Sequence, residues 1–333
     1  MNINPQTFYI RINFGVMDQQ PGVALQGHVR LRRSRLCAVW PGAGGRRMHL
    51  PVMAVQWSPG PTLDGPVHTY VAYPAGPVQG IVVFFHGAGM HAVMPRYDRM
   101  VGGWTHAGLG VVAWDCPHMG TSSTLADRAH PMRAMRLHDE VQLLRLGVHM
   151  VDAAKGLFPS VPLVLVGESL GGAIALRLAP LTRPVGIATL CGVVQTRILT
   201  YPTPIGALVG NIALLREAFH TPGHVRRALL HDPLVYKKAY PVSMLRFMKN
   251  FVRSTNYSAV CAPLLFVVGA QDAIVRAKEA SRALSACTSV SPIDRTIYEV
   301  PRMRHSFTEG AADAVVAFAA RLVQEGRGQY SCV

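Results

Sequence analysis

The sequence predicts an α/β fold built on a mostly parallel, doubly wound sheet, and three observations support this prediction. Short apolar segments of strand length alternate with segments whose apolar residues have helical spacing, as in a sheet covered by helices on both faces. Segments such as residues 163–166 are continuously apolar, which is typical of strands buried on both faces. The chain has 333 residues, 50% of them hydrophobic, so it can form one large core.

Residues 1–62, at the start of the chain, differ in composition from the rest. They hold one acidic residue, Asp18, against seven arginines, and they are rich in glycine and proline. No apolar segment follows a basic start, so this is not a secretory signal, and we expect a cytoplasmic or peripheral membrane location. The low acid content fits an organelle transit peptide, but Ser34 and Ser58 are the only serines. We therefore predict a disordered arginine-rich extension, with organelle targeting as the alternative.

The first part of the predicted core covers residues 63–194 and has the alternating rhythm of strands and helices. Predicted strands and helices, in chain order, are residues 67–73, 81–85, 97–106 (helix), 109–115, 136–157 (helix), 162–166, 173–178 (helix) and 185–191. Consecutive strands that are joined by a helical segment favour parallel pairing, because the helix carries the chain back across the sheet.

This rhythm stops between residues 195 and 239, where helical, partly apolar segments are interrupted by Pro202, Pro204 and Pro222. Long insertions of this kind are often functional, so we predict a helical cap over the catalytic face of the core. The alternative is a helical segment that packs to one side of the core. The second part of the core follows at residues 240–326, with strands at 263–269 and 296–300. Residues 327–333 form a tail.

A tight turn with serine at its apex joins the strand at 162–166 to the next helix. Residues 167–172 read G-E-S-L-G-G, and the glycines two positions from Ser169 permit close approach of strand and helix around a strained turn. The helix directs its N-terminus and the Leu170 N–H toward any anion formed at the serine. We predict that Ser169 is a nucleophile, supported by Gly167 and Gly171.

Two polar residues follow the downstream strands, as a triad requires. Asp272 comes after the strand at 263–269, and His305 comes after the strand at 296–300. The order serine, acid, histidine, with acid and base on loops after strands, is that of folds with a nucleophile elbow. Taken alone, Asp272 could be a turn residue, and His305 could be a surface histidine. Their order along the chain and their positions after strands favour roles as the acid and the base of a triad.

Small residues after the strand at 81–85 predict an oxyanion loop. Residues 86–89 read H-G-A-G, and the second oxyanion donor of such enzymes comes from this position, so we assign it to the Ala88 N–H beside that of Leu170. Gly87 and Gly89 support this loop. We expect His86 to form structural hydrogen bonds beneath it, because a second general base would have no partner serine.

Composition argues against several other functions. The net charge of +15 comes mainly from arginines spread along the chain without a nucleic-acid-binding motif, so we predict no nucleic-acid partner. Attraction to anionic membrane surfaces stays open. The six cysteines lack the spacing of a zinc site, and we predict no metal and no cofactor. No apolar run reaches the roughly 18 residues that span a membrane, and the sequence indicates no particular oligomeric state.

Together these motifs resemble the α/β-hydrolase superfamily, and within it the monoacylglycerol lipase and lysophospholipase group, also called serine aminopeptidase-like. The similarity extends over residues 67–323 and rests on residues 86–89, 167–173, 231–236, 269–272 and 305–310. The resemblance implies a serine esterase for acylglycerol-type lipid esters, with Ser169, Asp272 and His305 as triad and with Ala88 and Leu170 as oxyanion donors. It implies neither metal nor organic cofactor.

One departure and three alternatives accompany this resemblance. His118 stands where relatives usually have glycine, which puts substrate range rather than chemistry in question. An aminopeptidase of this fold needs cap acids for a protonated amine, yet residues 195–239 hold only Glu217 and Asp232 against six arginines and lysines, which favours neutral or anionic lipids. A receptor-like protein that binds a small apolar ligand without turnover, and another carboxylesterase, stay open.

Overall fold

The structure, a computed structural model, describes residues 9–10, 29–41, 47–57, 67–123, 135, 137, 139–196, 199, 201–220, 223–305 and 309–326. Side chains are described from residue 67 onward, except for some within the cap helices. The predicted tail at 327–333 lies outside the described residues.

The described strands form one twisted sheet. They are β1 (Tyr9–Ile10), β2 (Val29–Pro41), β3 (Arg47–Trp57), β4 (Val67–Ala72), β5 (Gly80–Phe85), β6 (Leu109–Trp114), β7 (Leu163–Glu168), β8 (Gly186–Leu190), β9 (Leu264–Gly269) and β10 (Arg295–Val300). Their order across the sheet is β1-β2-β3-β4-β6-β5-β7-β8-β9-β10. Strands β5 to β10 are parallel, whereas β1 to β4 pair antiparallel, with β4 joining this edge to β6.

Helices cover both faces of the sheet, as the apolar strand segments require. They are α1 (Asp98–His106), α2 (Glu140–Leu157), α3 (Leu170–Thr182), α4 (Thr203–His220), α5 (Gly223–His231), α6 (Val242–Arg253), α7 (Ala277–Ala286) and α8 (Glu309–Gln324). Helices α1 and α8 pack on one face, while α2, α3, α6 and α7 contribute to the core on the other. The prediction of a parallel α/β core covered on both faces is confirmed.

Local sequence explains several helix boundaries. The α2 helix begins after Asp139, whose carboxylate accepts hydrogen bonds from the N–H groups of Val141 and Gln142 at 2.8 and 3.1 Å. Helix α3 is buried along most of its length and ends at Arg183, which has left-handed backbone geometry with φ 50°. None of the described helices is long and apolar enough to cross a membrane.

Composition predicts a disordered or targeting extension over residues 1–62, whereas the structure places strands at residues 29–41 and 47–57. Strands β2 and β3 lie in this part of the chain, and β3 pairs with β4 over Val52↔Ala72 to Trp57↔Val67. The prediction of a disordered or targeting extension rests on charge and acid content, whereas the apolar and aromatic residues of each strand favour β structure, so the extension stays a prediction. The glycines between the two strands, Gly42, Gly44 and Gly45, are the sequence signal for a hairpin.

The parallel strands place the predicted site residues at one edge of the sheet. In parallel sheets the carboxyl ends of the strands meet at the same edge, and ligands bind outside that edge. Strands β5, β7, β9 and β10 end there and continue into the loops that hold Ala88, Ser169, Asp272 and His305. Helices α4 and α5 come from the segment predicted to form a cap, between β8 and α6.

Candidate active site

Ser169 lies in a strained turn between β7 and α3. Its backbone has φ 50° and ψ −115°, a conformation that non-glycine residues rarely adopt. A Cβ atom on Gly171 would collide with the Phe85 carbonyl of β5, and one on Gly167 would collide with the backbone of Gly171. The Ser169 N–H donates to the Leu190 carbonyl at 2.9 Å, which holds the turn against β8. Close packing on all sides therefore maintains the strained geometry.

The structure brings Ser169, His305 and Asp272 into one hydrogen-bonded chain. His305 Nε2 lies 3.0 Å from Ser169 Oγ, and His305 Nδ1 lies 2.9 Å from Asp272 Oδ2. The Asp272 side chain is fully buried, while the imidazole is 13% exposed. With Nδ1–H donating to the carboxylate, Nε2 is left free to accept the serine proton.

Asp272 has the electrostatic environment of an ionised carboxylate. Burial by itself would raise the pKa of its carboxyl, but the interaction and hydrogen bond with His305 and the backbone N–H donors lower that pKa below its usual range. The N–H groups of Ile274 and Val275 donate to Oδ1 at 2.7 and 2.9 Å. The carboxylate is consequently charged at neutral pH and fixed in orientation.

The predicted oxyanion donors are backbone N–H groups at two places. Leu170 is the first residue of α3, where N–H groups have no partner within the helix. Ala88 lies in the turn after β5, and its carbonyl accepts a hydrogen bond from the Tyr240 hydroxyl at 2.7 Å. The Tyr236 N–H donates to the Gly89 carbonyl at 2.8 Å. Residues of the segment between α5 and α6 thus bond to the carbonyl groups of Ala88 and Gly89.

His86 is a structural residue beneath the oxyanion loop in this geometry. Its Nε2 accepts a hydrogen bond from the Cys116 N–H at 2.9 Å, so Nδ1 carries the proton and donates to the Gly87 carbonyl at 2.7 Å. Burial lowers the pKa of the imidazole, which favours this neutral tautomer. The histidine does not contact Ser169, and it links β5 to the loop after β6.

Glu168, the variable residue before the serine, has a role that sequence analysis missed. Its buried carboxylate pairs with the Arg96 guanidinium and accepts a hydrogen bond from the Tyr97 hydroxyl. A Cβ on Gly87 would lie 3.1 Å from this carboxylate, so the pair packs directly under the oxyanion loop. No sequence pattern links residues 96 and 168, because the contact depends on the pairing of β5 and β7.

Cys191 is a second residue that sequence analysis missed. This buried thiol follows β8 and donates to the Arg304 carbonyl at 3.7 Å, and burial together with the negative charge of nearby Asp272 raises the pKa of the thiol well above its usual range. The ligand-type atoms of Cys191, Asp272 and His305 lie within 4.8 Å of one another. The Asp272 carboxylate already bonds to the His305 imidazole and to the N–H groups of Ile274 and Val275, so its oxygens have partners within the protein.

His118, the departure from the family pattern, has left-handed backbone geometry with φ 60°. Glycine is the usual residue in this conformation, which explains why relatives carry it. Nearby Asp115 is fully buried and accepts hydrogen bonds from the N–H groups of Ala92 and Thr121, both at 2.7 Å. The loop after β6 is therefore held rigidly despite the strain at His118.

Two cavities border the predicted site residues. One of about 200 Å³ adjoins the oxyanion loop at Gly89 and is lined by Met119, Met135, Leu234 and Val235, with Lys237 and Lys238 among its other residues. The other, of about 700 Å³, separates helix α4 from the loop that holds Asp272.

Solved structures with a similar fold include several hydrolases of low sequence identity. A carboxyl esterase from Bacillus coagulans, solved with glycerol, is 14% identical with a TM-score of 0.65, and the alignment covers 82% of this chain and 99% of that one. A monoacylglycerol lipase from Paleococcus ferrophilus is 21% identical (TM-score 0.56; 76% and 99% covered). A monoglyceride lipase from Saccharomyces cerevisiae, solved with a substrate analog, is 17% identical (TM-score 0.58; 79% and 92% covered).

These likenesses confirm the α/β-hydrolase fold. No curated protein has a significantly similar sequence. Residues 76–310, well over half of the chain, match the family described as serine aminopeptidase, S33. With this match and the shared fold, the chain belongs to the serine aminopeptidase S33 family of α/β hydrolases.

Proposed function

We propose that this protein is a serine hydrolase that cleaves carboxylic esters of lipids, with a monoacylglycerol or a lysophospholipid as the natural substrate. The observation that carries the proposal is the hydrogen-bonded chain Ser169–His305–Asp272 beside two backbone N–H donors. This arrangement supplies nucleophile, base, orienting acid and oxyanion donors, the parts that acyl transfer needs.

The reaction follows from the roles of these groups. His305 Nε2 accepts the Ser169 proton while Oγ attacks the ester carbonyl, and Asp272 stabilises the imidazolium that forms. The N–H groups of Ala88 and Leu170 stabilise the oxyanion, and each such donor is typically worth about 3 kcal/mol in the transition state. His305 then protonates the leaving alcohol, and water activated by His305 releases the acid from the acyl-enzyme.

Ester substrates fit the cap better than peptides with a protonated amine do. The only acids between residues 195 and 239 are Glu217 and Asp232. Asp232 bonds to His91 at 2.7 Å, and Glu217 accepts hydrogen bonds from the N–H groups of Ala273 and His305 at 3.1 and 3.0 Å. Because both carboxylates are engaged within the protein, they favour an uncharged or anionic substrate over an ammonium group.

The smaller cavity supports a lipid substrate. Its methionine and valine side chains adjoin Gly89, next to the proposed oxyanion donor Ala88, and provide apolar surface for an acyl chain or a glycerol backbone. Lys237 and Lys238 line the same cavity and suit an anionic head group.

Turnover by the wild type and by Ser169→Ala on monoacylglycerols, lysophospholipids and short aryl esters tests the proposal. We expect release of fatty acid or phenol by the wild type and a loss of at least about 10⁴-fold in the variant. A folded wild type that neither hydrolyses any of these esters nor reacts with a fluorophosphonate serine probe would overturn the proposal. Binding of an apolar ligand without turnover would then favour a receptor.

We also propose that the cap contacts anionic membrane surfaces peripherally. Ile205, Leu208 and Ile212 of α4 are 52, 64 and 56% exposed, and their spacing puts them on one helix face. Arg226 and Arg227 are exposed on the neighbouring α5. An exposed apolar helix face together with exposed basic residues on the next helix in the chain is the pattern of interfacial binding.

Vesicle sedimentation with and without phosphatidylserine tests this contact. We expect the double variant Arg226→Ser, Arg227→Ser to bind anionic vesicles less tightly, by about 1 kcal/mol for each arginine removed, while neutral vesicles are bound alike. Arg282→Ser, an exposed arginine on α7, is the matched control. Equal binding by both variants would reject the membrane contact.

A further inference from the structure

Glu217 of the cap helix α4 contacts both loops that carry the proposed acid and base. Its side chain is 6% exposed, and its two carboxylate oxygens have different partners. Oε1 accepts a hydrogen bond from the Ala273 N–H at 3.1 Å, and Oε2 accepts one from the His305 N–H at 3.0 Å. Ala273 directly follows Asp272, so the carboxylate bonds to the backbone next to one triad residue and to the backbone of the other.

These contacts restrain the distance between the two loops. The oxygens of a carboxylate are held at a fixed separation, so the two N–H groups that they accept from are held close together as well. On the sheet side the same loops are joined by the bonds from Ala270 N–H to the Val300 carbonyl and from Gln271 N–H to the Met303 carbonyl, at 3.1 and 2.9 Å. Glu217 supplies the corresponding restraint on the cap side.

A charged residue at this position needs an explanation beyond packing of the cap. Desolvating a carboxylate is unfavourable, and an apolar residue of similar size would attach a helix equally well. Here two N–H donors compensate for the desolvation, and the Arg304 guanidinium lies 3.9 Å from Oε1. These partners belong to the acid and histidine loops, so they stabilise the charge when α4 and both loops are in place together.

We infer that Glu217 is a positioning residue, which aligns Asp272 with His305 and makes hydrolysis depend on the placement of cap helix α4. This inference rests on the proposed function. When α4 moves away, the acid and histidine loops lose their common acceptor, and the Asp272–His305 hydrogen bond loses its alignment. Glu217 does not line the small cavity near Gly89, where the substrate is proposed to bind. Its substitution should therefore lower kcat rather than raise KM.

The test compares Glu217→Gln with the wild type. A glutamine retains one acceptor oxygen but turns an NH2 group toward the other N–H, so one of the two loops is released. We expect kcat to fall roughly 10–100-fold, as for small misplacements of catalytic groups, with KM within about twofold. Labelling of Ser169 by a fluorophosphonate should slow in parallel, and the downfield proton NMR signal of His305 Nδ1–H should shift or broaden.

Lys249→Met is the matched control, because Lys249 of α6 donates to the Tyr201 carbonyl at 2.7 Å and holds the start of the cap without touching the triad loops. We expect this control to keep kcat even if its melting temperature falls. Unchanged kcat in Glu217→Gln, or an equal loss of kcat in the control, would overturn the inference while wild-type turnover leaves the proposed function standing. A wild type without turnover or labelling would overturn both.

Glu217→Asp is the second variant. It keeps the charge but is one methylene shorter, so it can reach only one loop, and we expect kcat between those of the wild type and Glu217→Gln. Failure of both Glu217 variants to fold would also overturn the inference, because the residue would then serve overall stability.

Discussion

Asp272 is ionised at a buried position, and this makes the stability of the protein depend on pH. Its folded pKa is lowered by His305 and by backbone N–H donors, while an unfolded aspartate titrates near 3.9. A lowered pKa contributes stability that is fully present above the unfolded value and is lost as pH falls through the folded value. The contribution should thus be constant at neutral pH and disappear in acid.

Urea unfolding of the wild type and of Asp272→Asn at several pH values checks this expectation. The difference in free energy of unfolding between the two should stay constant between about pH 5 and 7 and shrink below about pH 4. A difference that does not change with pH would show that the ionised carboxylate gains no stability from its hydrogen-bond donors.

Gly171 is a second residue whose effect can be predicted from local geometry. A Cβ at this position would overlap the Phe85 and His86 carbonyls, which are backbone atoms that cannot move aside. We expect Gly171→Ala to lower the free energy of unfolding by more than about 3 kcal/mol or to prevent folding. Gly156→Ala in α2 meets nothing within 4 Å and should instead stabilise by up to about 1 kcal/mol. Similar melting temperatures of the two variants would contradict this steric account.

Arg177 of α3, the helix that follows Ser169, forms hydrogen bonds that link three helices. Arg177 of α3 donates to Glu140 of α2 at 2.7 Å and to the Phe251 carbonyl and the Ser254 hydroxyl around the end of α6, at 3.1 and 2.7 Å. Its guanidinium also lies 4.5 Å from the centre of the Phe251 ring. The charge is mostly buried, so each of these bonds is stronger than an exposed ion pair.

Arg177→Met should therefore lower the free energy of unfolding by about 1–3 kcal/mol, because three acceptors lose their donor. Arg321→Met is the control, since Arg321 near the end of α8 forms an exposed pair with Glu325, the residue after the helix, and such pairs contribute less than about 1 kcal/mol. Urea unfolding measures both. Equal effects of the two substitutions would contradict the proposed tie between α2, α3 and α6.

At the scale of the whole molecule, the sheet extends into the part of the chain that its composition suggested to be disordered. Strand β3 pairs with β4 along six residue pairs, so removing it would leave the backbone groups of β4 unpaired at an open edge. Open apolar edges promote association between chains. A chain lacking residues 1–62 should have a lower melting temperature and aggregate at concentrations at which the full chain stays monodisperse. Thermal unfolding and light scattering measure this; unchanged behaviour would favour a dispensable extension.

Most of the core elements could be predicted from local sequence. The strands that end at Phe85, Glu168 and Gly269 carry buried apolar runs followed by turn residues, and burial of such runs requires no knowledge of distant residues, whereas the strand that ends at Val300 mixes polar and apolar residues and is partly exposed. The serine turn was predictable in part for the same reason, because a Cβ on Gly167 would clash with the backbone of Gly171 four residues on, whereas the clash at Gly171 is with Phe85 and His86 and arises only once β5 lies beside β7. The placement of Asp272 and His305 at the same edge of the sheet followed from the parallel pairing that these strands imply.

The support around the candidate site depended on contacts between distant parts of the chain. Glu217 bonds to residues 56 and 88 positions away, and Tyr240 reaches the Ala88 carbonyl from 152 positions away. The Arg96–Glu168 pair likewise forms only after β5 and β7 are side by side. Apolar periodicity and turn sterics act over a few neighbouring residues and are readable from sequence, whereas the partner of a buried polar group is set by how the sheet and the cap bring remote segments together.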